Sequence, residues 1–209
     1  MFFHKTPAIL RWFYPHLTWK GPKGDKVIYL TFDDGPVPGI TEFILDTLKE
    51  YEAKATFFCV GENLIQNDHI ARKAIQEGHL LANHTHNHLN GWKTGTGLYI
   101  DNVKKCEQQL EKLGVNNNMM RPPYGKISGS QIKKLKNHYR IVMWDVLTGD
   151  YSPDISPENC LQKSIKHTQE GSIVLFHDNI KAEANLKYAL PLYLKHYRRQ
   201  GYKFEALCL

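Results

Sequence analysis

Short apolar runs alternate with amphipathic segments along most of this chain. Seven runs have the length and the β-branched or aromatic composition of buried strands, and they cover 26–32, 55–60, 79–83, 119–121, 140–146, 172–177 and 202–207. Between these runs, apolar residues recur every three or four positions, as they do along one face of an α-helix. Strands that alternate with helices predict parallel β/α units. About seven such units predict an α/β single domain whose sheet forms a barrel or a barrel-like curve.

Two helical segments show the pattern most clearly. One is predicted over 98–113, where spacings of four, three, four and three residues separate Tyr99, Val103, Cys106, Leu110 and Leu113. The other is predicted to begin at Thr41, since threonine is a common N-cap residue. Its apolar positions are Ile44, Leu45, Leu48 and Tyr51.

The first 25 residues form an aromatic-rich N-terminal arm, and we place the domain over 26–209. Lys5, Pro7, Arg11 and Pro15 interrupt the arm, so it fits neither a signal peptide nor a transmembrane helix. Two alternatives stay open: the arm packs on the domain as a lid, or its aromatic side chains make a weak peripheral contact with a membrane. Packing is favoured, because exposed aromatic patches are uncommon.

Composition narrows the class of partner. The chain has 209 residues, is 42% hydrophobic and carries a net charge of +6. A basic surface favours anionic surroundings, but the chain has no long Lys/Arg block, so we predict an ordinary solvated basic surface and no nucleic-acid partner. The four cysteines form no C-x-x-C pair, which argues against a cysteine zinc site. Cys59 and Cys106 lie in apolar patterns and are predicted to be buried thiols, which favours a reducing compartment.

Polar residues follow five of the predicted strands. In parallel β/α folds, chemistry gathers at the carboxyl ends of the strands. The residues there are Asp33 and Asp34, the segment NHTHNH (83–88), Arg121, the segment GDY (149–151) and the segment FHD (176–178). Because these groups suit hydrolysis, we expect them to form one site.

Two of the histidines form a candidate metal site with an aspartate. His84 and His88 are four residues apart, which places both imidazoles on one face of a helical turn. Two histidines and a carboxylate form an open zinc site, and Asp34 is the candidate carboxylate. His86 is a disfavoured rival, because residues two apart do not share a helical face. An isolated pair of this kind is more often a pair of surface histidines.

Asp33 is the candidate general base. Side chains alternate along an extended chain, so Asp33 and Asp34 are expected to point apart. One carboxylate would then bind the cation while the other faces its water. The alternative is a turn-initiating aspartate pair before Gly35-Pro36, which leaves the histidines unexplained.

Five short motifs occur in the order and spacing of a known family. They are TFDDGP (31–36), HTHNH (84–88), RPPYG (121–125), GDY (149–151) and LFH (175–177). The chain, from about Lys26 to its last strand, resembles the polysaccharide deacetylases, the NodB-homology family or carbohydrate esterase family 4. The resemblance implies a distorted (β/α) barrel and metal-dependent hydrolysis of an N- or O-acetyl group.

The resemblance also implies a role for each matching residue. Asp33 matches the catalytic base, and Arg121 the arginine that pairs with it. Asp34, His84 and His88 match the metal ligands. His177 matches the general acid, and Asp150 the carboxylate that orients it. Tyr124 matches the residue whose backbone N–H binds the oxyanion, and Leu175 the apolar residue near the acetyl methyl group.

The fourth motif departs from the family pattern Asp-x-x-Asp-Trp. Leu147 and Tyr151 stand at its first and last positions, while Asp150 is retained. Tyr151 keeps an aromatic wall in the substrate pocket and adds a hydroxyl. The motifs therefore define the type of reaction more closely than they define the substrate.

The leading hypothesis is a hydrolase that removes N-acetyl groups from an N-acetylhexosamine glycan or saccharide of peptidoglycan or chitin type. A second hypothesis keeps the fold and the metal but replaces the sugar with an amide, imide or formyl substrate. A third is a non-catalytic protein that binds metal or sugar. One divalent metal is expected, with Zn²⁺ ahead of Co²⁺, Ni²⁺ and Mn²⁺. We also predict a monomer in the cytoplasm, with association with the cell envelope as the alternative location.

Overall fold

The sheet and its helices follow the predicted alternation. The computed structural model describes residues 3–22 and 26–208, and within them the chain forms eight strands and eight α-helices. The strands are β1 (Val27–Asp33), β2 (Ala55–Cys59), β3 (Leu80–Asn83), β4 (Met119–Met120), β5 (Arg140–Ile141), β6 (Val146–Leu147), β7 (Ile173–His177) and β8 (Lys203–Phe204). The helices are α1 (Ala8–Phe13), α2 (Ile40–Glu50), α3 (Gly61–Gln66), α4 (Asp68–Gln76), α5 (Thr96–Lys112), α6 (Gly129–Leu135), α7 (Pro157–His167) and α8 (Glu183–Arg199). Two 3₁₀ turns lie at Gly91–Lys93 and Pro123–Gly125.

The strands form one curled parallel sheet. Their order is β5-β4-β3-β2-β1-β7-β6, and β8 pairs with the start of β1 at Val27 and Ile28. Each pair of neighbouring strands is parallel. The prediction of an α/β single domain with a distorted barrel of about seven parallel strands is confirmed.

The central strand β1 is buried on both faces. Ile28 and Phe32 pack with apolar residues of α2 and α8, such as Ile44 and Leu190. Tyr29 belongs to a different cluster, since successive side chains of a strand point to opposite faces. Burial on both faces is typical of a parallel sheet covered by helices.

The prediction of one strand over 140–146 is wrong. Arg140–Ile141 pairs with β4 at one edge of the sheet, whereas Val146–Leu147 pairs with β7 at the other edge. The residues between them cross from edge to edge. At the two ends of the crossing, Val142 N–H still donates to the Met120 carbonyl of β4 and Asp145 N–H to the Ile173 carbonyl of β7. In the middle, the backbone bonds to the arm: Met143 N–H donates to the Thr18 carbonyl at 2.7 Å.

The N-terminal arm fills the gap between the two edges of the sheet. Backbone bridges join Lys5 to Val146, Thr18 to Val142 and Lys20 to Ser172. Both ends of the described arm are thus packed on the sheet. The predicted boundary after residue 25 adjoins residues 23–25, which lie outside the described residues, and it stays a prediction.

One buried carboxylate holds the arm in place. Asp145 is fully buried, and its oxygens lie 2.7 Å from Lys5 Nζ, 3.4 Å from an Arg11 nitrogen and 3.5 Å from Lys20 Nζ. The Ser172 hydroxyl also donates to it at 2.6 Å. A buried carboxylate needs such partners, because burial otherwise strongly disfavours its charge.

The two helix predictions have different outcomes. The predicted helix 98–113 is α5, and its apolar residues Tyr99, Val103, Cys106 and Leu110 are buried as expected. The N-cap prediction at Thr41 is wrong, since α2 begins at Ile40 after Gly39. The Thr41 hydroxyl instead donates to Asp178 at 2.7 Å. No helix among the described residues is long and apolar enough to cross a bilayer.

The cysteine prediction is confirmed, because Cys59 and Cys106 are buried free thiols. Burial is the main reason that the pKa of Cys106 rises to about 12. Its thiol therefore stays protonated and packs as a small apolar group.

Candidate active site

The carboxyl ends of the parallel strands bring the predicted polar residues together. In the described part of the chain, the group comprises Asp33 and Asp34 at the end of β1, His84 and His88 after β3, Arg121 after β4, Asp150 after β6 and His177 at the end of β7. Ion-pair contacts link Asp33 to Arg121 and His84, Asp34 to His84 and His88, and His177 to Asp150. Asp33 and His177 pair in register on the neighbouring strands β1 and β7, so the two linked groups adjoin and the seven residues form a single site.

Three of them place metal-binding atoms close together. The donor atoms of Asp34, His84 and His88 all lie within 4.8 Å of one another. Asp34 Oδ1 lies 3.0 Å from His88 Nε2 and 3.5 Å from His84 Nε2. Burial alone would raise the pKa of Asp34, but the two imidazoles and His177 lower it well below its ordinary value. The Asp34 carboxylate is therefore ionised, as a metal ligand must be.

The tautomer of His84 suits a ligand. Its Nδ1 lies 2.8 Å from the carbonyl oxygen of Arg121. Because a carbonyl can only accept, Nδ1 carries the hydrogen and Nε2 presents its lone pair to the site. The backbone of His84 is also held by the sheet, since its N–H donates to the Cys59 carbonyl of β2 at 2.9 Å.

The prediction that His84 and His88 share the face of a helical turn is wrong. The segment between them is an irregular loop, in which Thr85 and His88 have φ of 64° and 53°. The two rings nevertheless meet, with centroids 5.1 Å apart. His86 is not part of the group of metal-binding side chains, in agreement with the prediction that disfavoured it.

Two asparagines shape this histidine loop. Asn102 on α5 accepts from the backbone N–H of His86 at 2.8 Å and of Asn87 at 3.0 Å. Asn83 Oδ1 accepts from Thr85 N–H at 2.8 Å. Side-chain acceptors thus replace the hydrogen bonds that a helix would have supplied.

The expectation that Asp33 and Asp34 point apart does not hold, because the extended backbone ends between them. Asp34 has a φ of 91°, in the left-handed region that a non-glycine residue rarely adopts. Asp33 Oδ2 and Asp34 Oδ1 lie 3.7 and 3.5 Å from the same atom, His84 Nε2. Both carboxylates therefore face one centre.

Arg121 is buried beneath Asp33. It is fully buried, and one Nη donates to Asp33 Oδ1 at 2.6 Å and to the Thr31 hydroxyl at 2.8 Å. Its other Nη donates to the Met143 carbonyl at 2.9 Å, and the guanidinium stacks on Phe58 at 4.1 Å. Burial lowers the pKa of Arg121, while Asp33 opposes that shift. The pair fixes one oxygen of Asp33 and leaves the other facing the site.

His177 pairs with a fully buried carboxylate. Its Nδ1 lies 2.8 Å from Asp150 Oδ1, and its backbone N–H donates to Asp150 Oδ2 at 2.7 Å. Burial lowers the pKa of His177, but Asp150 outweighs this effect, with help from Asp34 and Asp33, and the pKa rises to about 9. His177 is therefore an imidazolium at neutral pH, with its Nε2 proton directed away from Asp150.

The predicted pocket residues surround these groups. Tyr124, with a φ of 60°, is 60% exposed, and its ring meets the edge of His88 at 4.6 Å. The Tyr151 ring lies 4.9 Å from that of His177. Leu175 is buried two residues before His177 on β7, so both point to the same face of the sheet. Leu147 is a buried strand residue beside Leu175.

Two residues with no predicted role hold the turn that carries Asp34. Asp178 is buried; it accepts from Gly35 N–H at 2.8 Å and from the Thr41 hydroxyl at 2.7 Å. A side chain on Gly35 would place its Cβ 1.7 Å from Asp178 Oδ2, so the turn requires glycine. Asn179 Nδ2 donates to Asp34 Oδ2 at 2.5 Å. In the sequence, Asp178 and Asn179 are indicated by their position directly after the sixth predicted strand.

Comparisons with known proteins agree with this geometry. The polysaccharide deacetylase family model matches residues 20–140. A peptidoglycan-N-acetylglucosamine deacetylase of Bacillus cereus is 32% identical over 192 residues, which cover 90% of this chain and 90% of the relative. The peptidoglycan-N-acetylglucosamine deacetylase PgdA of Listeria monocytogenes is 33% identical over 186 residues, which cover 88% of this chain but 39% of the relative.

A solved structure is also similar over nearly its whole length. The Bc1960 peptidoglycan N-acetylglucosamine deacetylase, in complex with 4-naphthalen-1-yl-N-oxidanyl-benzamide, matches with a TM-score of 0.87 and 32% identity. The match covers 95% of this chain and 94% of that chain. A family model that matches more than half of the sequence, together with a relative that aligns over nearly the full length of both proteins, shows that the chain belongs to the polysaccharide deacetylase family.

Proposed function

We propose that this chain removes the N-acetyl group from N-acetylglucosamine residues of peptidoglycan, with one divalent metal ion as cofactor. One observation carries the proposal: Asp33, held by Arg121, and His177, held by Asp150, lie at neighbouring strand ends beside a cluster of side chains that can bind a metal ion. The sugar is inferred from the relatives, which are named for their action on peptidoglycan N-acetylglucosamine.

The donor set fits a divalent cation. Within the described residues, Asp34 Oδ1 is buried and accepts no hydrogen bond. His84 presents a lone pair beside it, and two histidines with one carboxylate suit zinc. We propose zinc, while cobalt, nickel and manganese suit the same donors. A bound cation of this kind acidifies water and polarises a carbonyl group.

Asp33 is proposed as the general base. The guanidinium of Arg121 donates to Oδ1 of Asp33, so Oδ2 faces the site and is placed to take a proton from the attacking water. The backbone N–H of Tyr124 is proposed as a donor to the oxyanion that forms on the acetyl group, an interaction worth about 2.7–4 kcal/mol in other hydrolases.

His177 is proposed as the general acid. Asp150 holds its Nδ1 proton and favours the imidazolium, so Nε2 can give its proton to the departing sugar amine. Leu175 and Tyr151 are proposed to line the pocket for the acetyl group, since Leu175 lies two residues before His177 on β7 and the Tyr151 ring contacts that of His177.

Acetate release tests the proposal. The acetylated substrates are peptidoglycan fragments, chitooligosaccharides and a simple N-acetyl sugar, each with added zinc and with a chelator. A cyclic imide and a formamide are assayed in parallel by ring opening and by formate release. We expect release from acetylated sugars that the chelator and Asp33→Asn abolish, while Asp101→Asn, at an exposed site on α5, leaves it unchanged.

Turnover of the imide or the formamide, with none of any acetylated sugar, would favour a non-sugar substrate over the proposed one. Sugar binding without acetate release from any substrate would favour a non-catalytic protein.

A further inference from the structure

The arm presents an apolar surface that the domain does not cover. Its helix α1 has no buried residue. The exposed large side chains on and around it are Phe3 (69%), Ile9 (60%), Leu10 (39%), Trp12 (73%), Phe13 (61%) and Tyr14 (46%). Six such residues within twelve positions are unusual, because soluble proteins seldom leave a contiguous apolar patch in water unless it binds something.

This surface is held outward by the packing on both sides of it. Before the helix, Thr6 N–H donates to the Asp145 carbonyl at 2.9 Å and its hydroxyl to the Trp144 carbonyl at 2.7 Å. After the helix, Leu17 is buried and Thr18 N–H donates to the Ile141 carbonyl at 2.9 Å. Since both flanks are fixed on the sheet, the helix cannot turn its apolar residues into the core.

Positive charge lies beside the apolar surface. Lys5, Arg11 and Lys20 share the single carboxylate of Asp145, so three positive charges less one negative charge leave a surplus of two. His4 stacks on His167 of α7 at 6.3 Å, and Lys5 Nζ donates to the His167 carbonyl at 2.9 Å.

Helix α7 adds two further cations at the same place. Lys163 and Lys166 are exposed, and both lie close enough to His167 to help burial lower its pKa. The half-buried Glu170 that follows is a single acidic group, so this part of the surface stays positive in sum.

We propose that the arm docks this protein on an anionic lipid bilayer, with α1 lying in the interface and the basic residues contacting the headgroups. Trp, Tyr and Phe next to Lys and Arg are the combination that binds such interfaces, where the ring enters the acyl boundary and the cation meets phosphate. A soluble polyanion would use the cations but leave the aromatic residues without a role. The proposal does not depend on the chemistry of the active site.

Vesicle flotation tests the proposal with the full chain. The probes are vesicles of phosphatidylcholine alone and of phosphatidylcholine mixed with phosphatidylglycerol. We expect binding to the mixed vesicles only, a loss of about tenfold in Trp12→Ser/Phe13→Ser, and a similar loss in Lys163→Glu/Lys166→Glu. Matched controls are Leu98→Ser on α5 and Lys133→Glu/Lys134→Glu on α6, which change exposed residues of the same type elsewhere.

Several results would overturn the proposal. One is absence of binding to either kind of vesicle. Another is equal binding of the Trp12→Ser/Phe13→Ser variant and the unchanged protein to the mixed vesicles. Full competition by soluble polyphosphate, with the same binding in that variant, would point to a soluble polyanion as the ligand. A third is concentration-dependent dimerisation in ultracentrifugation that the Trp12/Phe13 variant abolishes, without vesicle binding. Circular dichroism and thermal melting of each variant confirm that it is folded.

Discussion

At the scale of single residues, charged groups of the site are buried in pairs, so each depends on the opposite charge of its partner. Asp33 and Arg121 have almost no exposed surface, and each supplies the counter-charge that the other needs. Removing one partner of such a pair commonly costs about 3–5 kcal/mol, because the other charge stays buried. The pair therefore fixes the position of Asp33, the proposed base, and contributes to folding at once.

Asp150 sets the pH range over which His177 is charged. With the folded pKa at about 9 and the ordinary value at 6.5, charging of His177 stabilises the fold fully below pH 6.5, and this stabilisation is lost as the pH rises through 9. We expect Asp150→Asn to move the alkaline limb of the activity profile from about pH 9 toward 6.5. An unchanged limb in a pH–rate profile would mean that another group sets it. Asp154→Asn, an exposed neighbour, is the control.

Asn179 orients the carboxylate of Asp34, a proposed metal ligand. Its amide occupies Oδ2 of Asp34 and so leaves Oδ1 toward the histidines. Loss of such a supporting hydrogen bond typically weakens metal binding by about 10–100-fold, and we expect this from Asn179→Ala. Competition with a chromogenic zinc chelator measures the affinity directly, without reference to activity. The exposed Asn137→Ala should bind zinc like the unchanged protein, and equal affinity in the Asn179 variant would refute the role.

Residue identities were the part of the site best indicated by the sequence. Every predicted polar residue lies at the carboxyl end of a strand or in the loop that follows it, because the register of a buried strand fixes where its chain emerges. Asp178 and Asn179 could not be given roles, since their contacts with Gly35 and Asp34 join positions more than 140 residues apart in the chain.

At the scale of elements, the histidine loop depends on a helix that carries none of the ligands. Asn102, on α5, satisfies two backbone N–H groups between His84 and His88 and is itself buried. We expect Asn102→Ala to lower the free energy of unfolding by about 1–3 kcal/mol, since the Asn87 N–H loses its acceptor while the His86 N–H keeps the Asn102 carbonyl at 3.2 Å. Urea unfolding measures this loss.

The control for Asn102 is Asp101→Ala, at the exposed neighbouring position. A cost below about 1 kcal/mol for Asn102→Ala would show that water replaces the lost acceptor.

Apolar runs predicted most elements correctly. Such runs mark buried segments, and burial decides where strands lie. The prediction of one strand over 140–146 was wrong because the run is mostly buried although its two ends belong to different edges of the sheet. The histidine spacing misled because hydrogen bonds from Asn83 and Asn102 stabilise a loop where the spacing alone indicated a helical turn.

At the scale of the whole molecule, Asp145 fastens the arm across the open side of the sheet. We expect Asp145→Ala to lower the free energy of unfolding by about 3–5 kcal/mol, because it leaves three cations around an uncharged site. Limited proteolysis should then cleave within the arm first. The control is Asp154→Ala, and proteolysis at the same rate in both variants would show that the backbone bridges alone hold the arm.

The curved α/β sheet was predictable because alternating strands and helices admit few arrangements. The closing role of the arm was not, since no local pattern shows that Lys5 and Arg11 meet Asp145.

This closure has a consequence for how the protein is made. Lys5 and Asp145 are 140 residues apart, so the arm leaves the ribosome well before its partner and stays without it until most of the domain has been synthesised. Before β5 is made, the part of the sheet formed by β1 to β4 has free edges at β1 and β4, and uncovered strand edges invite aggregation. Slower translation before residue 145 should therefore lower the soluble yield, and it should do so less at reduced growth temperature.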